Sequence, residues 1–408
     1  MPGTAEALAG WASDLTPTDI DVAFARRALI DTVAVTLAAG DEALRNIVAA
    51  LPDSARWSAM GHLLDFDDLH IESTAHISVV IVPAVLAAGG DAGAYLAGAG
   101  VMARLGQALG WRHYAAGWHA TCTAGAPAAA VASGIALGLT TEQLASAIAL
   151  AVPASGGVQR AFGTHAKSLQ VGFATQAGVR AAQLAARGAT ADPAALDDWL
   201  ALVGGAPDRL DLSGPAVPGG LAVKMFPCCY ALQRPIAAIR ELRGRHHVDP
   251  AQVARLTVRT PADTIAPLIH DQPRTGLEAK FSLPYAMATA LLDDHPDFTS
   301  FSDEAVRRPA AQQLMNQVEV VTTPGGGGLL AGEVTVEIEL ASGEMLSTSL
   351  AQPPGSPASP PTEAELVDKL AHCGVGAPEL MTGLDWTSAG RLLREVLPRN
   401  RSAEAEVG

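Results

Sequence analysis

Between Gly61 and His76 the chain reads Gly-His-Leu-Leu-Asp-Phe-Asp-Asp-Leu-His-Ile-Glu-Ser-Thr-Ala-His, so seven of sixteen residues are Asp, Glu or His in a chain that is only 17% charged. An uncharged run, Val79 to Gly89, follows at once. Titratable groups crowded against apolar residues lose water, and their pKa values move. That is the condition under which carboxylates and imidazoles carry protons for chemistry. The competing reading is a polar surface loop that precedes a buried helix.

Three further islands set reactive residues among small ones. Gly117-Trp-His-Ala-Thr-Cys-Thr-Ala-Gly125 puts His119 at the mouth of a Gly/Ala helix, whose free N–H groups could receive an anion. Gly163-Thr-His-Ala-Lys-Ser-Leu-Gln-Val-Gly172 starts a helix at Lys167. Val223-Lys-Met-Phe-Pro-Cys-Cys-Tyr230 carries Lys224 where the character of the chain changes, a place suited to holding a carboxylate in an interdomain cleft. Of 27 basic residues only Lys167, Lys224, Lys280 and Lys369 are lysine. A lysine can shift its proton on burial and an arginine cannot, so each of the four is a candidate for chemistry.

Structural roles compete at each position. His119 could simply cap its helix, and Asp67 and Asp68 read as helix caps. Asp68, His70 and Glu72 lack the spacing of an H-E-x-x-H metal site. Cys228-Cys229 has no histidine after it until His246, which favours packing over nucleophilic catalysis.

These residues need elements to position them, and the patterning changes once along the chain. Val22, Ala25, Leu29, Val33 and Leu37 follow helical spacing within 19–40. The spacing predicts helices over 79–97 and 98–109, from a capping box at Thr140 through Val152, and over 167–187. No strand is expected before about residue 220. Strands are predicted at 253–261, 317–322, 334–340 and 345–350, the last two joined by a Ser342-Gly343 turn. Helical segments fall at 231–242 and 281–293. A Pro/Ser-rich linker, Gln352 to Pro361, precedes a helix capped by Thr362. The fold expected is mainly α with an α+β second domain: a first helical part over 1–222, an α+β lid over 223–352, and C-terminal helices in 353–408 returning to the helical domain.

Composition excludes other classes. A net charge of −15 and a pI near 5.1 argue against nucleic acid as a partner. Mean hydropathy is +0.22, and from Ala120 to Gln159 the only charged residue is Glu142. Gly, Pro and Ser interrupt that segment, so a buried soluble helix is expected and no membrane association. Four cysteines without metal-type spacing and an N-terminus without a basic or apolar leader point to a cytoplasmic location.

In order, His62-x-x-Asp-Phe-Asp-Asp68, Thr74-Ala-His-Ile-Ser78, Gly117-Trp-His119, Gly163-Thr-His-Ala-Lys167, Lys224-Met-Phe-Pro-Cys-Cys229 and Lys280-Phe-Ser-Leu-Pro-Tyr285 resemble the MmgE/PrpD family over nearly the whole chain. That family contains 2-methylcitrate dehydratases, cis-aconitate decarboxylases and iminodisuccinate epimerases. The resemblance implies a helical domain made from both termini, a smaller lid with substrate between the two, a homodimer, and no metal or organic cofactor. It places active-site residues at Asp65, His76, His119, Lys167, Lys224 and Tyr285. Departures are visible. The family's His-Pro-Ser is His76-Ile77-Ser78 here, and one residue is inserted between Asp65 and His76. The segment between Gly40 and His62 is shorter. Histidines expected three residues after Lys167 and nine after Lys224 are Gln170 and Gln233, two candidate substrate-binding positions.

The chemistry expected is a cofactor-independent lyase reaction on a small carboxylate, begun by proton removal beside a carboxylate or carbonyl. His76 and His119 would form the acid/base pair. Asp65 would orient one imidazole, Lys167 and Lys224 would hold substrate carboxylates, and Tyr285 would donate a proton or hydrogen bond. Dehydration is favoured, with decarboxylation and epimerisation as alternatives on the same scaffold. A non-catalytic scaffold relative is the alternative of another class. A lyase requires His76, His119, Lys167 and Lys224 to converge.

Overall fold

The computed structural model describes residues 3–41, 43–374, 380 and 382–398. The end of the expected third segment, beyond residue 398, lies outside them.

Alanine and glycine let the helices of the first core approach closely. Helix His165–Ala185 lies across helices Asp53–Leu63 and Gly125–Ala136. A Cβ at Gly172 would meet the Ala55 carbonyl oxygen at 2.5 Å, and one at Gly178 the Ala126 carbonyl oxygen at 2.4 Å, so only glycine permits these crossings. Helices Asp19–Ala38, Ser78–Ala88 and Ala92–Ala115 complete this body. Helix Trp386–Val396 packs back onto Asp19–Ala38 and Ser78–Ala88, so the C-terminal helices return to the helical core.

The break expected between 97 and 98 falls earlier, at 89–91. Gly89 closes the Ser78–Ala88 helix at φ 74°, and Asp91 caps the next helix by accepting from the Gly93 and Ala94 N–H groups. Gly98 stays helical because its missing side chain fits against Ala132 and Ile81.

A second core lies against a four-stranded sheet, β1 (Val253–Pro261), β2 (Val318–Thr323), β3 (Val334–Leu340) and β4 (Met345–Leu350), in the order β2-β1-β3-β4. β1 and β2 run parallel with Leu256 opposite Val318; β3 pairs antiparallel with β1 and with β4. The inward residues Leu256, Val258, Val336, Ile338 and Leu346 are buried, with helices Gln233–Arg245 and Leu283–Leu292 in the same core. The structure is thus a helical domain with a smaller α+β unit. Among the described residues no helix is long and apolar enough to cross a membrane.

Candidate active site

Helix Asp53–Leu63 ends at Leu63, and its last turn delivers His62 inward. The chain then enters an irregular loop in which Asp65 and Thr74 both adopt φ 54°. A positive φ is unfavourable for these residues and survives only where contacts impose it. At Asp65 the contacts are lysines. Lys280 Nζ donates to the Leu64 carbonyl at 2.9 Å, and Lys369 Nζ to the Phe66 carbonyl at 2.9 Å. Lys224 Nζ donates to Asp65 Oδ1 at 2.6 Å and to the Asp65 carbonyl at 2.9 Å, and Lys167 Nζ donates to Oδ1 at 3.2 Å. All four lysines of the chain, brought from four distant stretches, therefore clamp Leu64, Asp65 and Phe66. All four are buried.

The polar cluster extends from this clamp. Lys167 Nζ lies 2.7 Å from His62 Nε2, and His62 Nδ1 lies 2.7 Å from Asp67 Oδ2. His76 Nδ1 approaches the same Asp67 oxygen at 3.0 Å without hydrogen-bond alignment. The His62 ring stands edge-on to His76 at 4.7 Å and stacks on His119 at 5.6 Å. His119 is the N-cap of helix Ala120–Thr123. Its Nδ1 is met by Gln170 Nε2 at 2.7 Å and by Cys122 Sγ at 3.3 Å. Phe162 lies edge-on to His119 and stacks on Phe281 of the α+β unit, with the Lys167 ammonium near both rings.

Burial governs the charges. Burial by itself would raise the Asp65 carboxyl, but Lys167 and Lys224 overcome it and hold Asp65 well below the usual carboxylate range. Asp67 is likewise raised by burial and lowered further by His62 and His76, so it stays ionised. Desolvation pushes His62 down to about 4 despite Asp67, and it also lowers His76 and His119. At neutral pH the cluster is therefore two carboxylates, two ammonium groups and three neutral imidazoles. In neutral His62 the proton sits on Nδ1 toward Asp67, which leaves Nε2 to accept from Lys167. Desolvation by burial lowers the Lys224 pKa, but attraction to Asp65 outweighs it and the net shift is upward.

His62, Asp65, Asp67 and His76 offer donor atoms within 4.8 Å of one another, a set that could hold a metal. Ammonium groups already occupy Asp65 Oδ1 and His62 Nε2, and a divalent ion would lie beside two positive charges. The donor set fits the lysines better than a metal. Asp68, His70 and Glu72 do not converge: Asp68 accepts from the Ser78 N–H, His70 bonds Ser73 Oγ and the Pro218 carbonyl, and Glu72 accepts from Gln107.

Of the residues expected from sequence, Asp65, His76, His119, Lys167, Lys224 and Gln170 come together. Tyr285 does not: its hydroxyl donates to the Ser300 carbonyl inside the second core. Gln233 does not reach the cluster either. Its Oε1 accepts from the Met225 and Phe226 N–H groups and its Nε2 donates to the Phe226 carbonyl, so it braces the loop that carries Lys224. Lys224 itself is fully buried on Asp65 and acts there as a positioning group. Two members exceed the expectation. His62, quoted only as part of a motif, connects Lys167 to Asp67, and Asp67 joins two imidazoles in place of capping a helix. Tyr114 lies near enough for Asp65 and Cys229 to push its buried phenol further up. The spacing of His62 from Asp67 was the available signal; nothing in the sequence pointed to Tyr114.

Profiles of the MmgE/PrpD N-terminal domain and C-terminal domain match residues 52–201 and 226–378. The chain belongs to the MmgE/PrpD family. Within reach of that family are two similar proteins. The cis-aconitate decarboxylase of Aspergillus terreus is 26% identical over 360 residues, covering 78% of this chain and 72% of that protein. A cis-aconitate decarboxylase of Aspergillus terreus strain NIH 2624 / FGSC A1156 is 26% identical over 364 residues with the same coverage. Family membership and these relatives support a lyase-type activity for the chain; the matched residues include His62, Asp65, Asp67, His76, His119, Lys167 and Gln170, while Lys224 falls between the two matched ranges.

Proposed function

We propose that this protein is a cofactor-independent lyase that acts on a small di- or tricarboxylate through an enolate-like carbanion, with loss of CO2 ahead of loss of water. The observation that carries this reading is the buried pairing of two ammonium groups with three neutral imidazoles. Preorganised positive charge stabilises a carbanion delocalised onto a carboxylate, and burial strengthens that effect. Lys167, the more accessible ammonium, would anchor the carboxylate. His76 makes no hydrogen bond through Nε2 among the described residues, and that nitrogen would carry the proton exchanged with carbon.

Loss of hydroxide is helped by a strong acid as the bond breaks, and burial keeps all three imidazoles out of the more acidic cationic form at neutral pH. CO2 departs without a proton: the C–C bond breaks, its electron pair stays on carbon, and that carbon takes a solvent proton relayed by His76. The two cis-aconitate decarboxylases point the same way. This replaces the dehydration favoured from sequence. The reading includes the homodimer that the family resemblance implies, with half-exposed Phe173 and Val158 beside the site as apolar surface for a second copy. It also includes a reducing, cytoplasmic setting, in keeping with four free buried cysteines.

The test is incubation with cis-aconitate, citrate and related polycarboxylates in D2O, followed by NMR and mass spectrometry. Release of CO2 with one deuterium incorporated per product is expected. Release of water would select dehydration, and deuterium exchange without net conversion would select epimerisation. No reaction with any of them, with His76→Ala indistinguishable from wild type, would point to a scaffold.

A further inference from the structure

The hydrogen bonds around Gln170 determine which nitrogen of His119 carries the proton. The Val158 N–H, which can only donate, points at Gln170 Oε1 at 3.0 Å. The Val158 carbonyl, which can only accept, faces Gln170 Nε2 at 3.3 Å. These two contacts set the amide orientation without reference to His119. The amide therefore presents an N–H to His119 Nδ1 at 2.7 Å. On the same nitrogen lies Cys122 Sγ at 3.3 Å, and burial pushes that thiol up so that it keeps its proton.

Two donors aimed at Nδ1 require a lone pair there. His119 is held in register with them, because its backbone N–H donates to the Gly157 carbonyl at 3.0 Å and Trp118 bridges Val158. The proton of neutral His119 is thus on Nε2, which has no hydrogen-bond partner among the described residues. A proton on Nδ1 would point N–H against N–H, so the imidazolium is disfavoured as well.

We propose that Gln170 locks His119 as a neutral Nε2–H donor that hydrogen-bonds a substrate carboxylate or its developing enolate oxygen and does not shuttle protons. The substrate half of this assignment rests on the lyase reading above. A neutral imidazole in such a role polarises an oxygen without transferring a full proton. It leaves His76 alone to exchange the proton with carbon. A histidine at position 170 could donate or accept and would impose no tautomer; the glutamine imposes one. His119 would be the catalytic residue and Gln170 a positioning residue.

The experiment is 15N NMR of the full chain labelled at histidine, with His119 assigned by its loss in His119→Gln. Expected are a pyridine-like Nδ1 and a protonated Nε2 in the wild type. In Gln170→Glu, nearly isosteric and on a partly exposed residue, the carboxylate should draw the proton to Nδ1 and reverse the pattern. Adding tricarballylate, a saturated tricarboxylate that cannot react, should shift the Nε2 proton downfield. Under turnover, Gln170→Glu should lower kcat about 10²- to 10³-fold, the range of one lost transition-state hydrogen-bond donor, with KM changed less. An Nδ1-protonated wild type, or a tautomer unchanged in Gln170→Glu, would overturn the lock. A tautomer as expected with an Nε2 resonance unmoved by tricarballylate would overturn the donor role. Absence of turnover with every polycarboxylate bears on the lyase reading and leaves the tautomer result decisive by itself.

Discussion

The helical body and the α+β unit contribute to the site in different ways. The body supplies His62, Asp65, Asp67, His76, His119, Lys167 and Gln170, groups whose polar atoms face one another across helix ends and a strained loop. The α+β side supplies Lys280, which donates to the Leu64 and Pro227 carbonyls, and Gln233, which braces the Lys224 loop. Tyr285 serves the second core. The reactive groups sit in the larger core, and the smaller unit holds them in place. Two regions that both bury polar residues therefore do different work.

The largest effect should come from breaking the clamp where the two meet. Asp65→Asn leaves two buried ammonium groups without a carboxylate, and loss of one partner of a buried ion pair costs about 3–5 kcal/mol. Thermal unfolding should show a fall of many degrees together with lost activity. If the melting temperature stayed unchanged, the pairing would not hold the loop.

His76→Gln should separate chemistry from support. Loss of a general acid–base group lowers rate by roughly 10²–10⁴-fold. Here stability should change little, since His76 Nδ1 lacks an aligned hydrogen bond. Equal losses in rate and stability would place His76 with the supporting residues.

Acid should weaken the body more than the α+β unit. His62 falls to about 4 from an ordinary value of 6.5, and His76 and His119 also fall, so the unfolded chain binds more protons than the folded one. Stability is then complete above pH 6.5 and declines as pH drops toward 4, by on the order of 3 kcal/mol for a shift of that size. Asp68 works in the opposite direction. Burial raises it to about 7, so its folded form binds the extra proton and stability falls as pH rises from about 4 toward 7. Asp68→Asn should steepen the acid loss; denaturant melts at pH 5 and 7 decide it.

Tyr285→Phe should give the smallest change. It removes one hydrogen bond, costing about 1 kcal/mol, and leaves turnover within a few-fold of wild type. A loss of a hundredfold in kcat would return Tyr285 to the chemistry and blur the distinction between the two regions.

Much of this was legible in the chain. Hydrophobic period separated helices from the four strands, because each element buries one face and the period records which. The placing of Gly89 rather than Gly98 at a helix end was not legible, since a glycine that relieves a turn and one that admits a neighbouring helix look alike in one dimension. The residue types of the site were legible too: scarce lysines and crowded Asp and His.

The linear order of residues determined the elements and the cast of reactive side chains, because periodicity and chemical type are local properties. The tertiary structure alone decided their partners. That Lys224 and Lys167 share one oxygen of Asp65, that Asp67 serves two imidazoles, and that Tyr285 and Gln233 turn away all depend on contacts between distant segments. Hydrogen bonds and ion pairs form over about 3 Å, a range set by how whole helices pack and not by spacing along the chain.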